Sequence, residues 1–262
     1  MATYTFYKYQ GAGNDFIVID NRNKLFNKEN HELVRRLCDR RFGIGADGLM
    51  LLQGVDGYDF EMVYFNADGR EGSMCGNGGR CIVAFARDKG IIGKTTDFLA
   101  VDGHHYAEID EQQDCVSLQM IDVDTIGRDG DAYVLDTGSP HYVVLVEGLV
   151  SFPVVAEGRR VRNSAPYYEA GINVNFVEPE AAGYYVRTYE RGVEDETLAC
   201  GTGATAVAIA MAEREGKNGS LAIPIRVAGG NLTIRFLKDG SHFKDVFLDG
   251  PAKFVFKGEI TL

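Results

Sequence analysis

The chain carries one uncommon arrangement twice. Cys75-Gly76-Asn77-Gly78-Gly79 leads into the apolar run Ile82-Val83-Ala84-Phe85-Ala86, and Cys200-Gly201-Thr202-Gly203-Ala204 leads into Ala206-Val207-Ala208-Ile209-Ala210-Met211-Ala212. The two cysteines are 125 residues apart (200 − 75) in a chain of 262, close to half its length. Each run is apolar around nearly the whole circumference of a helix, so each helix must be surrounded on all sides. In a β-rich half-chain the natural wrapper is a curved sheet. A second spacing agrees: Asn14 lies 61 residues before Cys75 and Ser139 lies 61 residues before Cys200, each in a turn that leads into a β-branched strand.

The fold class expected from this is α/β (α+β), with two pseudo-symmetric domains, each a β-barrel-like sheet around a central helix, and the active site in the cleft between them. Residues 1–123 plus 250–262 form the expected first domain, carrying Cys75, and residues 124–249 the second, carrying Cys200. The Asp- and Gly-rich stretch Asp122 to Asp131 is read as the join. The tail Pro251 to Leu262 exceeds the second repeat and is expected to return to the first half.

Strand-like alternation marks Thr3 to Tyr9, Phe16 to Asp20, Gly48 to Leu52, Tyr58 to Phe65, Phe98 to Val101, His105 to Ile109 and Val116 to Ile121 in the first half. In the second it marks Ala132 to Asp136, Tyr142 to Val146, Asn173 to Glu178, Tyr184 to Glu190, Ile223 to Val227, Leu232 to Phe236 and Val246 to Leu248. Asn27 is the expected N-cap of a helix through Leu33, Val34, Leu37 and Cys38. Pro153 to Arg162 is a further helix candidate, and Glu190 to Ala199 reads as a polar approach to Cys200 and a helix over Ala204 to Arg214.

Charge and cysteine usage narrow the chemistry. A net charge of −11 and a pI near 5.0 repel phosphate backbones and anionic lipid, so neither nucleic acid nor membrane is the expected partner. The five cysteines are odd in number, and Met1 to Lys8 alternates like a strand rather than a signal peptide, which points to a cytoplasmic protein with reduced thiols. There is no C-x-x-C pair, and no histidine lies near Cys75 and Cys81, so no zinc site and no metal are expected.

Cys38, Cys81 and Cys115 read as packing residues. Cys75 and Cys200 differ, because each precedes backbone amides that a helix start leaves outside its ladder, where partial positive charge stabilises a thiolate. Gly76, Gly78, Gly201 and Gly203 would let a ligand approach those amides, and helix starts hold anions. A phosphate fits, but no G-K-[ST] lysine or dinucleotide fingerprint is present. A carboxylate fits as well, with the two cysteines flanking the adjacent carbon. Asn14, Asn66, Asn173, His141, Glu190 and Arg191 stand at strand ends or turns. Arg191 is the best single candidate, since its planar fork binds a carboxylate bidentately. His141 gains weight because its turn repeats near Cys200. A dithiol redox protein and a non-catalytic anion-binding module are the rival classes, although the first gives the glycine-rich helix starts and Arg191 no role.

Taken together, these stretches resemble the diaminopimelate epimerase family of cofactor-independent amino-acid racemases, over essentially the whole chain. The resemblance is carried by Gly11-Ala12-Gly13-Asn14-Asp15-Phe16, Gly43-Ile44-Gly45-Ala46-Asp47-Gly48, Phe65-Asn66-Ala67-Asp68-Gly69, Cys75-Gly76-Asn77-Gly78, Asn173-Val174-Asn175-Phe176, Glu190-Arg191-Gly192 and Ala199-Cys200-Gly201-Thr202-Gly203. It implies interconversion of LL- and meso-2,6-diaminopimelate, on the route to lysine and peptidoglycan, with no pyridoxal phosphate and no metal. It implies Cys75 and Cys200 as the two bases, with His141 and Glu190 assisting them. Asn14, Asn66, Asn173 and Arg191 would contact substrate, Arg191 at the distal carboxylate. Backbone near Gly76-Asn77-Gly78 and Gly201-Thr202 would hold the carboxylate beside the reacting carbon. A homodimer is implied too. The chain departs from the family pattern in three places: Gly48 stands where many members carry Gln, Ser139 where Asn is common, and Gly192 to Thr197 is one residue longer. A racemase of another amino acid in the same superfamily is the runner-up, although proline-type members tend to carry His where Asn77 stands.

Overall fold

A computed structural model describes residues 3–72, 74–110 and 115–261. The chain divides into two compact units, Met1–Leu118 with Gly250–Leu262, and Gln119–Asp249. The first break stands at Leu118, not at residue 123, because Met120 and Val123 already donate backbone hydrogen bonds to Val246 and Phe243 of the second unit, at 2.8 and 2.9 Å.

The first unit runs β1 (Thr3–Gly11), β2 (Asn14–Asp20), α1 (His31–Cys38), β3 (Gly48–Gln53), β4 (Phe60–Asn66), α2 (Gly76–Asp88), β5 (Thr95–Ala100), β6 (Gly103–Asp110) and β7 (Cys115–Gln119). The second runs β8 (Gly127–Asp129), β9 (Ala132–Asp136), β10 (Pro140–Leu145), α3 (Val154–Arg162), β11 (Asn173–Glu180), β12 (Gly183–Glu190), β13 (Asp195–Thr197), α4 (Gly201–Arg214), β14 (Gly219–Val227), β15 (Gly230–Asp239) and β16 (His242–Pro251). A last strand, β17 (Lys253–Thr261), lies antiparallel on β1 in the first unit.

The two units share one topology. From β1 to β7 successive neighbours pair antiparallel, parallel, antiparallel, parallel, antiparallel and antiparallel. The same series joins β9, β10, β11, β12, β14, β15 and β16. Even the outer strand matches: β8 lies antiparallel on β9 as β17 does on β1. Each parallel pair is bridged by a helix, as parallel strands require a long crossover: α1 and α2 in the first unit, α3 and α4 in the second.

The wrapped helix expected in each half is present. Gly76 through Ala86 of α2 are all buried, and the helix touches β1, β2, β3, β4, β6 and β17. In α4, Gly201 and Gly203 through Met211 and Ala212 are buried, and it touches β9, β10, β11, β12, β14 and β15. A fully buried aromatic such as Phe85, against Tyr7 and Tyr9, contributes roughly 1.5–3 kcal/mol of apolar transfer. By contrast α1 is one-sided, burying Val34, Leu37 and Cys38 and exposing its charged face.

Three expectations are corrected. The cap of α1 is Asn30, whose side chain accepts from Leu33 N–H at 3.1 Å; Asn27 instead closes the preceding turn, accepting from Glu29 N–H at 3.1 Å. The expected join between the halves holds β8. The polar approach to Cys200 holds β13, paired with β12 and fastened by Glu196 to Arg187 at 2.6 and 2.7 Å.

Candidate functional site

Cys75 and Cys200 occupy one backbone position in the two units. Each is an extended residue (φ −105°, ψ 125° and φ −117°, ψ 111°) immediately before its buried helix, and neither side chain caps that helix. The first helical bonds run from Gly79 N–H to Cys75 C=O (2.7 Å) and from Ala204 N–H to Cys200 C=O (2.9 Å). The amides at 76–78 and 201–203 therefore lie outside the ladders, at the positive ends of the helix dipoles, with no acidic residue in either first turn. At the first start a buried cation adds to the field: Arg80, 0% exposed, donates to Gly76 C=O at 3.1 Å and Asn77 Oδ1 at 2.9 Å.

In the first unit Asn14, Asn77 and Cys75 come together. The half-buried Cys75 thiol donates to Asn14 Oδ1 at 3.8 Å, and Asn77 Nδ2 donates to the same oxygen at 3.4 Å. Asn14 Nδ2 in turn donates to Asp47 Oδ2 at 2.6 Å. Arg40 bridges Asp47 and Asp15 at 2.7 and 2.6 Å, and the buried Lys8 pairs with Asp15 at 2.8 Å and reaches Gly45 C=O. Burial alone would push the Asp15 pKa up, but the bonds from Arg40 and Lys8 outweigh it and hold the carboxyl below its ordinary range.

Asn66, exposed at the end of β4, accepts from Tyr64 OH at 3.1 Å. The Tyr64 ring takes the space beside Gly48, where a Cβ would stand 2.5 Å from Cε2. The Cβ would also stand 2.6 Å from the Phe65 carbonyl oxygen, so no side chain fits at position 48.

In the second unit Cys200 is 8% exposed, with Sγ 3.5 Å from Thr202 Oγ1. Thr137 Oγ1 donates to Thr202 C=O at 2.8 Å, which ties the turn before β10 to the helix start. Asn173 donates to Ser139 Oγ (2.9 Å) and Pro140 C=O (3.2 Å) and accepts from Arg191 N–H (2.8 Å). Arg191 is exposed and reaches Ala170 C=O at 3.0 Å and Ser139 Oγ at 3.3 Å. Glu190 accepts from Thr197 Oγ1 at 2.9 Å. His141 is 0% exposed; burial, with the Arg191 cation second, pushes its pKa down to about 3.

Asn77 and Asn173, 1% and 4% exposed, engage their side chains with neighbouring protein groups. The role expected for Gly78 and Gly203 also changes. A Cβ at 78 would meet Met50 Sδ at 3.2 Å, and one at 203 would meet Asn175 Oδ1 at 2.4 Å. Gly203 is small because its helix lies tight on the sheet, whereas at 78 only the flexible end of Met50 stands close. Asp47, Arg40, Tyr64, Arg80, Thr137, Asn175 and Thr188 were not singled out from the sequence; only strand register and turn packing bring them to the site.

The other cysteines differ in kind. Burial pushes the thiols of Cys38 and Cys81 up to about 12, far from nucleophilic use. Among the described residues no group of three or more His, Cys, Asp or Glu could hold a metal ion, and no helix is long and apolar enough to cross a membrane.

Comparison with known proteins agrees in both sequence and fold. The sequence profile of the family described as Diaminopimelate epimerase matches residues 6–125 and 133–255. The diaminopimelate epimerase of Flavobacterium psychrophilum is 53% identical over 97% of this chain and 99% of its own. That of Chlorobaculum tepidum is 46% identical, covering 96% and 99%, and that of Aquifex aeolicus 40% identical, covering 98% and 97%. Among solved structures, a PhzF-family phenazine biosynthesis protein from Bacillus anthracis matches with TM-score 0.77 at 15% identity, over 100% of both chains. A probable proline racemase from Agrobacterium radiobacter matches with TM-score 0.68 at 13% identity, over 99% of this chain and 93% of that one. These structural likenesses share the fold.

Proposed function

The chain belongs to the diaminopimelate epimerase family, and from that membership and the twice-built cysteine position we infer that it interconverts LL- and meso-2,6-diaminopimelate, in lysine and peptidoglycan synthesis, by moving one α-proton between two thiols. Each unit acts as one epimerase domain and contributes one base: Cys75 from the first, Cys200 from the second. The observation that carries this reading is the repeated placement of a cysteine as the last extended residue before a buried, uncapped helix start.

An α-proton is weakly acidic, and a thiolate in bulk water does not remove it usefully. The reaction requires one sulfur on each face of the same carbon. A thiolate takes the proton from one face, and the C–H electron pair spreads into the α-carboxylate. The opposite thiol then gives its proton to the carbon from the other face. The amides of Gly76, Asn77, Gly201 and Thr202 hold the carboxylate and stabilise its growing charge; each preorganised donor of this kind contributes about 10²–10³-fold. Positioned acid–base groups add about 10²–10⁴-fold. Asn14, Asn66 and Asn173 orient the substrate, with Asn173 bracing Ser139 and Arg191. Arg191 has five N–H donors, and those not used on Ala170 and Ser139 take the distal carboxylate. His141 and Glu190 assist the cysteines. No cofactor or metal takes part.

The chain is read as a homodimer. Phe254, Val255 and Phe256 of β17, exposed by 51%, 52% and 44%, make an apolar run of the kind that association covers. Two reduced sulfurs are needed at once, which suits the cytoplasm. A racemase of another amino acid is the second reading, and Arg191 argues against it by favouring a substrate with a second anionic end.

The test is conversion in heavy water. LL-diaminopimelate should pass to the meso form with one solvent deuteron at the inverted α-carbon. Binding without label would leave an anion-binding module, and turnover that depends on a dithiol reductant as reactant would leave a redox protein.

A further inference from the structure

The duplicated topology supplies an internal control. In the first unit β2 and β3 pair Phe16 with Gly48, and β3 and β4 pair Met50 with Tyr64. In the second unit the same ladders pair His141 with Asn173 and Asn175 with Thr188. His141, Asn175 and Thr188 therefore occupy the places that Phe16, Met50 and Tyr64 fill in the first unit. The match is independent of sequence spacing, since Met50 and Asn175 each face the third residue of the central helix, Gly78 and Gly203. Phe16 and Met50 are 0% exposed, so the fold is content with apolar side chains here. In the second unit the same places hold buried polar groups, His141 and Asn175 at 0% and Thr188 at 4%. Burying polar groups costs free energy unless every one is bonded, and architecture did not demand it.

The bonds fix where the protons are. Asn175 Nδ2 lies 3.1 Å from Tyr142 C=O, which can only accept, so the amide nitrogen must face that way. Its other hydrogen points at His141 Nδ1, 3.1 Å away. Thr188 Oγ1 donates to Asn175 Oδ1 at 2.9 Å and holds the amide in place from its other side. His141 Nδ1 must then accept, and the ring proton sits on Nε2, which has no hydrogen-bond partner among the described residues. An imidazolium would set two N–H groups against each other.

We propose that Asn175 and Thr188 are positioning residues that lock His141 in its neutral Nε2–H tautomer, so that His141 serves the reaction as a fixed hydrogen-bond donor to the reacting thiolate and not as the base that generates it. The depressed His141 pKa agrees, with Arg191 the charged group that bears on the ring. The proposal rests on the two-thiol reading above, but its core, the tautomer, is observable without substrate.

The experiment is ¹⁵N NMR of the histidine-labelled enzyme, with the His141 signals assigned by their loss in His141→Phe, the side chain the other unit already carries. Wild type should show bare Nδ1 and protonated Nε2, unchanged across the neutral pH range. Asn175→Met, again the other unit's residue, should release the tautomer and lower kcat about 10²-fold, the loss of one preorganised donor, with KM little changed. Thr188→Val, nearly isosteric, should give a mixed tautomer and a smaller loss in kcat. A wild-type His141 that is protonated on Nδ1 or cationic overturns the proposal. So does a variant that loses the tautomer and keeps its kcat. Failure of the activity reading would show in wild-type turnover and leave the spectrum untouched.

Discussion

Adding one methyl group to each central helix at the same place should have opposite effects in the two units. In Gly203→Ala the new Cβ would stand 2.4 Å from Asn175 Oδ1, about 1 Å short of ordinary contact at 3.4 Å. Asn175 cannot yield freely, because its amide is held at 3.1 Å by Tyr142 C=O, at 3.1 Å by His141 and at 2.9 Å by Thr188. The same Cβ would crowd Cys200 Sγ at 3.3 Å. Overpacking of this kind costs about 1–3 kcal/mol, against a helix-propensity gain of at most about 1 kcal/mol. A shift of about 1 Å in a catalytic group lowers the rate about 10²-fold. In Gly78→Ala the Cβ meets Met50 Sδ at 3.2 Å and Met62 Cε at 3.5 Å, the mobile ends of thioethers that move by a few tenths of an ångström, and Cys75 Cβ at 3.6 Å, an ordinary contact. That variant should keep kcat/KM within a few-fold and melt at the wild-type temperature or slightly above. Gly203→Ala should lose about 10²-fold in kcat/KM and roughly 2–4 °C in Tm per kcal/mol. Steady-state turnover of LL-diaminopimelate and calorimetry on both variants decide it. Equal effects, or an active Gly203→Ala enzyme, would refute the claim that a rigid buried amide lies against this helix start.

Other outcomes follow from the same geometry. The Asp15 carboxyl is depressed below its ordinary 3.8 by Arg40 and Lys8, so its contribution to stability is complete above that value and is lost as pH falls below it; Asp15→Asn should flatten the acid limb of a stability-against-pH curve. Tyr64→Phe removes the donor that orients Asn66, and should raise KM roughly 2–10-fold, the worth of one hydrogen bond, with kcat nearly unchanged. Under mild alkylation of the folded enzyme, followed by mass spectrometry, Cys38 and Cys81 should stay unmodified, since burial raises both thiols to about 12.

The parts of the fold legible in the sequence were those with a strong period. The all-round apolar runs after Cys75 and Cys200 gave the two wrapped helices, and alternation gave most strands. What failed had no local signal. Gly127–Asp129 and Asp195–Thr197 are polar, and become strands only because β9 and β12 offer them an edge. Asn27 and Asn30 are equally good caps in isolation, and the turn closed by Asn27 decides between them. The site divides in the same way. The cysteines, Asn14 and Arg191 stood out as polar residues in turns or at strand ends. Asn175 and Thr188 did not, because they sit inside strands and meet His141 only through register. A signal for them was present nonetheless: laying one half on the other sets His141 against Phe16 and Asn175 against Met50, polar against apolar at buried positions. Gly48 stands where many family members carry Gln, and the structure shows its side-chain space taken by the Tyr64 ring and the Phe65 carbonyl of the neighbouring strand.

The central claim is that two sulfurs work on one carbon, and single replacements test it most directly. Cys75→Ala and Cys200→Ala should each fold with wild-type stability, and each alone should abolish conversion of LL- to meso-diaminopimelate, because removing either thiol leaves one face of the carbon without its acid or base. If either variant interconverted the two forms at near the wild-type rate, a single base would suffice and the two-thiol account would be contradicted.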